Sequence, residues 1–285
     1  MPRVGVLINN YNNGPWLRAC VDSVLAQTRP ADEVIVYDDG SSDDSLAILQ
    51  SYGDRITLLA GAHDFTRSGI ASQTHAVAGA FAASTADHLY LLDGDDVFFP
   101  DKISHYEAAW ARMPEAALLH SPCQNLTSDG RPLDVCHWPH KHALDYWQQT
   151  YRLHDCNLYY PTSTLAFTRS YLRRVLPMNI NDGLLLHIDV RLCSIAPLYA
   201  PVYLVPEAQS YWRARPDSMW RAHRRGPLAE MWSRNRYYNR KALALGARPL
   251  LLWHNHLFFT ECARAFVSPR LRDMFHRLRR KLLQS

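Results

Sequence analysis

Apolar stretches alternate with polar clusters along the first third of the chain. The short apolar stretches that are typical of strands cover residues 3–8, 33–37, 56–60 and 88–92. Between them, apolar side chains recur at helical spacing after Trp16 and after Leu46, and a helix of small residues is predicted over 68–84. Strands that alternate with helices indicate a parallel α/β sheet.

Three aspartates follow the fourth apolar stretch directly. Asp93, Asp95 and Asp96 surround Gly94 at the carboxyl end of that strand, where ligands bind in α/β sheets. Crowded carboxylates repel one another, and a hard divalent cation such as Mg²⁺ or Mn²⁺, shared with a phosphate-bearing substrate, relieves the repulsion. A solvated acidic turn is the alternative interpretation.

Polar clusters also follow the first two strands. Residues 9–14 come after the first strand and residues 38–43 after the second. Ser42 or Asp43 is placed to cap the helix that comes next. Because parallel strands bring their carboxyl ends to one edge of a sheet, we expect these clusters to converge with the acidic one.

Four segments of the chain carry a family resemblance. They are Asn10-Tyr11-Asn12, Ser23-Val24-Leu25-Ala26-Gln27-Thr28, Glu33-Val34-Ile35-Val36-Tyr37-Asp38-Asp39-Gly40-Ser41-Ser42-Asp43 and Leu91-Leu92-Asp93-Gly94-Asp95-Asp96. In this order the chain resembles the inverting nucleotide-sugar glycosyltransferases of the family 2 type, found in polysaccharide and lipopolysaccharide assembly. The resemblance implies a GT-A fold, a Rossmann-like α/β architecture with a mixed, mainly parallel sheet flanked by helices.

The resemblance also implies that Asn10, Tyr11 and Asp39 bind the donor. An aromatic ring such as Tyr11 can lie against the face of a nucleobase, and a fixed carboxylate such as Asp39 can accept a ring N–H from a uracil-like or thymine-like edge. The alternatives are a tyrosine packed at a strand end and an aspartate that caps the next helix, a structural task that Asp38 could also perform.

Three arginines are candidates for the donor diphosphate. Arg67 precedes the third helix, where a guanidinium can pair with phosphate and the helix start adds amide donors; Gln73 is a second polar candidate there. Arg213 and Arg215 lie in a segment that resembles one that closes over the diphosphate in relatives. Arg215 stands where relatives commonly carry His, and arginine cannot ligate a metal. Solvated surface arginines are the alternative.

The acidic cluster corresponds to the DxD motif of the family. Asp93 and Asp95 are assigned to donor binding, and Asp95 or Asp96 to direct ligation of Mn²⁺ or Mg²⁺. The metal and arginine would together stabilise the charge of the leaving diphosphate.

Inverting transfer needs one general base, which deprotonates the acceptor hydroxyl, and it needs no covalent intermediate. The resemblance assigns this catalytic role to Asp189, because a helix, a strand and the segment 210–213 follow it as in the family. Asp182 and His187 are the competing residues. Asp182 could instead begin a turn or helix, and His187 could be a partly buried structural histidine.

Apolar spacing and local composition predict one helix and two strands in the middle of the chain. A helix is expected from Pro100 to Met113, a strand over 117–121, and a β-branched strand over 162–168 that would line the acceptor side. The segment 137–142 holds three histidines. Pro139 and the lack of helical spacing favour a solvent-facing loop there over a zinc site.

Composition is that of a globular protein, with 47% hydrophobic and 20% charged residues among 285. No apolar run approaches the ~20 residues of a membrane span, and no leader pattern is found. The six cysteines form no C-x-x-C pair, which indicates a reducing compartment and argues against a disulfide framework or a zinc module. We therefore expect a cytoplasmic protein.

The formal charge of +4 conceals a basic C-terminal region. The predicted division is a catalytic domain over 1–220, with a nucleotide-sugar half (1–100) and an acceptor half (101–220), and a helical basic extension over 221–285. From Leu271 to Leu282 apolar side chains share one helix face and arginines take the rest. This pattern is typical of peripheral attachment to an anionic membrane, and packing on the catalytic domain is the alternative. Nucleic acid is disfavoured as a partner, because no binding motif or aromatic platform accompanies the charge.

Together these features predict a metal-dependent inverting glycosyltransferase. It would move a sugar from a nucleoside-diphosphate donor, with UDP-sugars favoured, to a hydroxyl of a glycan or lipid-linked acceptor. Two other classes stay open. A sugar-phosphate nucleotidyltransferase uses a related sheet, but residues 9–14 lack its glycine-rich, cationic loop. A catalytically silent sugar-nucleotide-binding protein would bind donor and metal without transfer.

Overall fold

The computed structural model describes residues 1–136, 146–179, 182, 184, 186–215, 226–255 and 257–266. The strands are β1 (Val4–Asn10), β2 (Glu33–Asp38), β3 (Thr57–Ala60), β4 (His88–Asp93), β5 (Val97–Phe98), β6 (Leu118–His120), β7 (Gln124–Leu126), β8 (Pro132–Val135), β9 (Ala166–Thr168), β10 (Val202–Leu204) and β11 (Ser210–Arg213). The α-helices are α1 (Gly14–Leu25), α2 (Ser45–Gln50), α3 (Gly69–Ala83), α4 (Lys102–Arg112), α5 (Tyr146–Leu153), α6 (Arg169–Val175), α7 (Ile188–Ile195), α8 (Pro227–Ala244) and α9 (Phe258–Phe266).

Seven of these strands form the main sheet, in the order β10-β6-β9-β4-β1-β2-β3. β1 pairs in parallel with β2 and β4, and β2 pairs in parallel with β3. β9 runs antiparallel to both β4 and β6, which makes the sheet mixed. The predicted mixed, mainly parallel sheet flanked by helices is therefore confirmed.

The strand register brings the polar clusters together. At the end of β1, Asn9 pairs with Asp93 of β4 and Asn10 pairs with Asp38 of β2. The three loops that follow these strands consequently leave the sheet at the same edge, as the sequence predicts.

Both faces of the main sheet are buried, as expected for parallel strands covered by helices. On one face, Val6 and Ile8 of β1 belong to a core cluster with side chains of α1, α2 and α4. On the other face, Leu7 belongs to a cluster with side chains of α3, α6 and α7. Gly5 permits a close backbone approach, because a Cβ at this position would lie 2.9 Å from the Cβ of Ala86. The loops of the site therefore extend from a packed, rigid layer.

A smaller sheet, in the order β5-β11-β7-β8, begins directly after the acidic cluster. β11 pairs antiparallel with β5 and parallel with β7. This sheet brings Arg213, at the end of β11, next to the acidic loop.

The expected strand over residues 162–168 is wrong in its first half. Thr162–Thr164 forms a 3₁₀ helix, and only Ala166–Thr168 forms a strand, β9. The 3₁₀ turn is closed by a hydrogen bond from the Thr164 N–H to the Pro161 carbonyl. It also directs the Ser163 hydroxyl to the acidic loop, a contact that outweighs β propensity here.

The expected cap of α2 is displaced by one residue. Its N-cap residue is Asp44, whereas Ser42 and Asp43 precede it. Asp43 nevertheless accepts hydrogen bonds from the N–H groups of Ser45, the first helical residue, and of Gly14, the first residue of α1. One carboxylate therefore joins the starts of two helices.

The predicted helical character after residue 220 is confirmed where the structure describes it, in α8 and α9. Tyr237 of α8 belongs to the core cluster of α3, α6 and α7, so α8 packs against the catalytic region. No helix among the described residues is long and apolar enough to cross a membrane. The three histidines of segment 137–142, the division at residue 220 and the amphipathic segment 271–282 lie outside the described residues.

Candidate active site

A buried aspartate ties the loops after β1 and β2 together. Asp38 accepts hydrogen bonds from Asn10 Nδ2 (2.7 Å) and from the N–H (2.9 Å) and hydroxyl (2.7 Å) of Ser41. The Oδ1 of Asn10 accepts a further bond from Asn13. Asp38 and Asn10 thus shape the loops, while the next residue, Asp39, has different contacts.

Tyr11 and Asp39 meet at the ring of His63. The Tyr11 and His63 rings are stacked, with centroids 4.2 Å apart and planes 16° apart. The Nδ1 atom of His63 lies 2.8 Å from Oδ2 of Asp39. The Oδ1 atom of Asp39 is buried and accepts no hydrogen bond from any residue that the structure describes. The Tyr11 ring and the Asp39 carboxylate therefore contact the same planar ring. Recognition of a nucleobase requires these two kinds of contact, an aromatic face and a carboxylate acceptor.

The most deeply buried residue of the acidic cluster is Asp96, which is 1% exposed. Its Oδ2 accepts a hydrogen bond from the Ser163 hydroxyl (2.6 Å), and its Oδ1 accepts one from the Arg213 N–H (2.7 Å). Burial, followed by the charges of Asp95 and Asp93, raises the pKa of Asp96 well above its ordinary value. Asp96 thus joins the two sheets, with both oxygens bonded to protein.

Asp93 and Asp95 differ from Asp96 in their partners. Asp93 Oδ1 accepts a hydrogen bond from Gln73 Nε2 (3.1 Å), and the Asn9 side chain also hydrogen-bonds to Asp93. Burial, followed by the charge of Asp95, raises the pKa of Asp93 to about 7. The side chain of Asp95 is 19% exposed, and its Oδ2 lies 3.2 Å from Nη1 of Arg215.

The two arginines of the segment 213–215 have separate roles. Arg213 donates from Nε to the Asp95 carbonyl and from Nη1 to the carbonyls of Thr127 and Ser128, so its guanidinium fixes the acidic loop. Arg215 lies over the Trp16 ring, 4.4 Å from its centroid. Because Arg215 also pairs with Asp95, it is the arginine of this segment beside the partly exposed carboxylate.

Arg67 lies at the start of α3, as the sequence predicts. Its Nε is 3.2 Å from Oδ2 of Asp64, and its side chain is 31% exposed. Ser68 caps the helix by accepting the N–H of Ala71. Arg67 is thus placed near the helix start, and in this structure it pairs with a neighbouring aspartate.

Asp189 lies in the first turn of α7, near the acidic cluster. Its charge contributes to the raised pKa of Asp93, so the two carboxylates are within electrostatic range. Asp182, in contrast, accepts hydrogen bonds from Nη1 (2.9 Å) and Nη2 (2.8 Å) of Arg191 on its two oxygens. His187 is the N-cap residue of α7, and its side chain does not cap the helix.

The pair Asp93 and Asp95 fits a divalent cation that is shared with a ligand. Within the described ranges, no group of three or more His, Cys, Asp or Glu side chains is arranged to hold a metal ion. Mg²⁺ and Mn²⁺ do not need such a group, because one or two carboxylates and substrate phosphates suffice. The Asp95 side chain is 19% exposed and pairs with Arg215, whereas the two oxygens of the buried Asp96 are bonded to Ser163 and to the Arg213 N–H.

We expect the Ser163→Ala substitution to lower the free energy of unfolding by about 1–3 kcal/mol, because it leaves Oδ2 of Asp96 buried without its donor. Urea denaturation followed by tryptophan fluorescence measures the change. The exposed Ser128→Ala variant is the matched control, with an expected change within about 0.5 kcal/mol. Equal effects of the two variants would contradict the bracing role of Ser163.

Three residues that organise the site escape the sequence analysis: His63, Ser163 and Arg191. For His63 a signal exists, since it follows β3 and parallel strands direct such loops to the same edge. The roles of Ser163 and Arg191 cannot be predicted from the residues next to them. Ser163 bonds to Asp96, 67 residues away in the chain, and Arg191 bonds to Asp182, 9 residues away.

Comparison with known sequences places these features in context. A family model described as "Glycosyl transferase family 2" matches residues 5–176. An uncharacterised glycosyltransferase of Nostoc sp. is 26% identical over 182 residues, which cover 62% of this chain and 54% of that protein. The chondroitin synthase of Pasteurella multocida is 30% identical over 145 residues, covering 49% of this chain and 14% of that protein. The chain thus spans about half, or less, of the length of these curated relatives.

Solved structures share the fold. TarS 1–349 of S. aureus, in complex with UDP, superposes with a TM-score of 0.60 at 15% identity, covering 96% of this chain and 78% of that one. The mannosyltransferase PcManGT of Pyrobaculum calidifontis, in complex with GDP-Man and Mn²⁺, gives 0.56 at 16% identity, covering 99% and 81%. At these identities the likeness concerns the fold, and it confirms the predicted GT-A architecture.

Proposed function

Because the chain belongs to glycosyl transferase family 2 through residues 5–176, we propose that it transfers a sugar from a nucleoside-diphosphate donor to an acceptor hydroxyl with inversion. The observation that carries the proposal is the convergence of Tyr11 and Asp39 with Asp93 and Asp95 at one sheet edge. UDP-sugars are the favoured donors. The complexes of TarS with UDP and of PcManGT with GDP-Man support a nucleotide-sugar donor.

The donor would lie along this edge from base to sugar. Tyr11 and Asp39 would hold the nucleobase, and Arg215 would pair with the diphosphate beside Asp95. Asp95, with Asp93 as its neighbour, would hold Mn²⁺ or Mg²⁺. The metal, when bound, supplies positive charge for the leaving diphosphate. Arg213 and Asp96 would keep the loop in place for this binding.

Asp189 would act as the general base toward the acceptor hydroxyl. Asp189 lies in the first turn of α7, within electrostatic range of Asp93 in the acidic cluster that would hold the donor. Its competitor Asp182 is held on both oxygens by Arg191, which makes it unsuitable for proton transfer. The acceptor class we propose is a glycan or a lipid-linked sugar, at the cytoplasmic membrane surface if the basic pattern over 271–282 binds lipid.

Thermal stabilisation by UDP, GDP, CMP and dTDP, each with and without Mn²⁺, tests the donor site. We expect one nucleoside diphosphate to raise the Tm in a metal-dependent way, since a ligand at 100 times its Kd stabilises by about 2.7 kcal/mol. Asp95→Asn should remove the metal dependence, and the exposed Asp54→Asn variant should retain it.

The outcomes separate the proposed transferase from other classes. If none of the four nucleotides shifts the Tm, the donor site is contradicted. Release of pyrophosphate from a nucleoside triphosphate and a sugar phosphate would identify a nucleotidyltransferase. Donor and metal binding without transfer or donor hydrolysis would identify a silent binding protein.

A further inference from the structure

The imidazole of His63 makes both contacts that the proposed function assigns to the nucleobase. Its ring lies parallel to Tyr11 at a centroid distance of 4.2 Å, and its Nδ1 lies 2.8 Å from Oδ2 of Asp39. A flat ring stacked on the tyrosine, with a ring nitrogen on the buried carboxylate, is the arrangement expected of a bound base. His63 therefore occupies the place that the proposed function assigns to the base.

The stacking distance leaves no space for a base between the two rings. Tyr11 and His63 are already in van der Waals contact, and one more aromatic layer would need a gap of about 7 Å. The Asp39 carboxylate is also closed off, because it is 2% exposed and one of its oxygens faces His63. A base can therefore reach the His63-facing side of the Tyr11 ring and Oδ2 of Asp39 only if the imidazole leaves.

The surroundings of His63 allow its side chain to leave while its backbone stays. Gly40 has φ +71°, and a Cβ there would lie 2.4 Å from the His63 nitrogen, so the two loops are in close contact at the backbone. On the side-chain end, His63 meets the ring of Phe65 edge-on at 4.7 Å. Phe65 is itself 84% exposed, so it presents little resistance to a rotation of the imidazole.

We propose that His63 is an internal mimic of the nucleobase, which occupies the base site of the free protein and is expelled when the donor binds. The inference rests on the proposed function, because it takes Tyr11 and Asp39 as the base site. The space that is vacated is that of a single ring, which matches a pyrimidine better than a fused purine. The Oδ1 atom of Asp39, buried without a donor among the described residues, is an additional acceptor for the incoming base.

The donor can bind only to the fraction of the free protein in which His63 has left the base site. The apparent donor affinity is lowered by that fraction. The His63→Ala substitution should therefore strengthen UDP binding, measured by isothermal titration calorimetry with Mn²⁺, by about 5- to 30-fold. The matched control is His75→Ala, an exposed histidine of α3, which should bind UDP as the wild type does. Weaker binding by His63→Ala would overturn the proposal and make His63 a direct contact of the base.

Chemical modification of the wild-type protein provides a second readout that needs no variant. Diethylpyrocarbonate modifies exposed imidazoles, and peptide mass mapping reports each histidine separately. The His63 side chain is 15% exposed in the free protein, so UDP with Mn²⁺ should increase its modification rate, with His75 unchanged. Protection of His63 by UDP would contradict expulsion. Absence of nucleotide binding to both wild type and His63→Ala would instead overturn the proposed function, and this inference with it.

Discussion

Replacing Asp189 with Asn is expected to reduce kcat for sugar transfer by about 10²- to 10⁴-fold, the usual contribution of a general base. The carboxamide has nearly the same shape as the carboxylate but cannot take up the acceptor proton. Steady-state transfer with a saturating donor measures kcat. Donor binding, followed by the nucleotide-dependent rise in Tm, should stay near the wild-type value, because the assigned role of Asp189 is toward the acceptor.

The exposed Asp54→Asn variant, in the 3₁₀ turn before β3, controls for the loss of one charge. It should retain full activity. If Asp189→Asn transfers sugar at the wild-type rate, the base is a different residue. His187, at the N-cap of the same helix, would then be examined as His187→Gln.

The Arg191→Met substitution is expected to lower the free energy of unfolding by about 3–5 kcal/mol. Arg191 is 1% exposed, and its guanidinium donates to both oxygens of Asp182 and to the carbonyls of Leu184 and Leu186. Removing it leaves the Asp182 carboxylate and these carbonyls without their buried donor. Chemical denaturation measures the change, and the exposed Arg131→Met variant, which loses a surface pair with Asp129, should change stability by at most about 1 kcal/mol.

A double substitution separates the ion pair from the packing of Arg191. Arg191→Met with Asp182→Leu should recover part of the lost stability, because no unpaired carboxylate then remains. Additive losses would show that the pair itself contributes little.

The pair also predicts a pH dependence. Burial alone would raise the pKa of Asp182, but the hydrogen bonds and charge of Arg191 hold it below its ordinary value. The contribution is therefore fully present above the unfolded pKa of about 3.9 and is lost as the pH falls through the folded pKa. The stability difference between wild type and Asp182→Asn should accordingly persist at neutral pH and shrink in acid.

The pattern of apolar and polar residues predicted those parts of the fold that depend on residues close together in the chain. β1, β2 and β4 are continuous apolar stretches because both faces of the sheet are covered, so their ends, and the polar clusters there, are visible in the sequence. The convergence of Tyr11, Asp39 and the acidic cluster follows from parallel topology alone.

The rest depends on contacts between distant segments. The short β5 and β11 have no periodicity to detect, and residues 162–164 turn because Ser163 bonds to the acidic loop. For the same reason the separate environments of Asp95 and Asp96 could not be predicted, since the partners that bury Asp96 come from residues 163 and 213. The position of the His63 imidazole on Tyr11 likewise depends on the path of the loop after β3, which the sequence does not show.

The hydrogen bond from Arg213 to Asp96 spans 117 residues of chain and determines when the site can form during synthesis. A ribosome that has released residues 1–176, the segment matched by the family model, has produced every aspartate of the acidic motif but not the strand that braces it. The nascent chain would hold Asp96 without its backbone donor until β11 emerges. A fragment that ends at residue 176 would therefore contain the three aspartates without the strand that holds their loop. A minimal catalytic fragment must extend at least through residue 213.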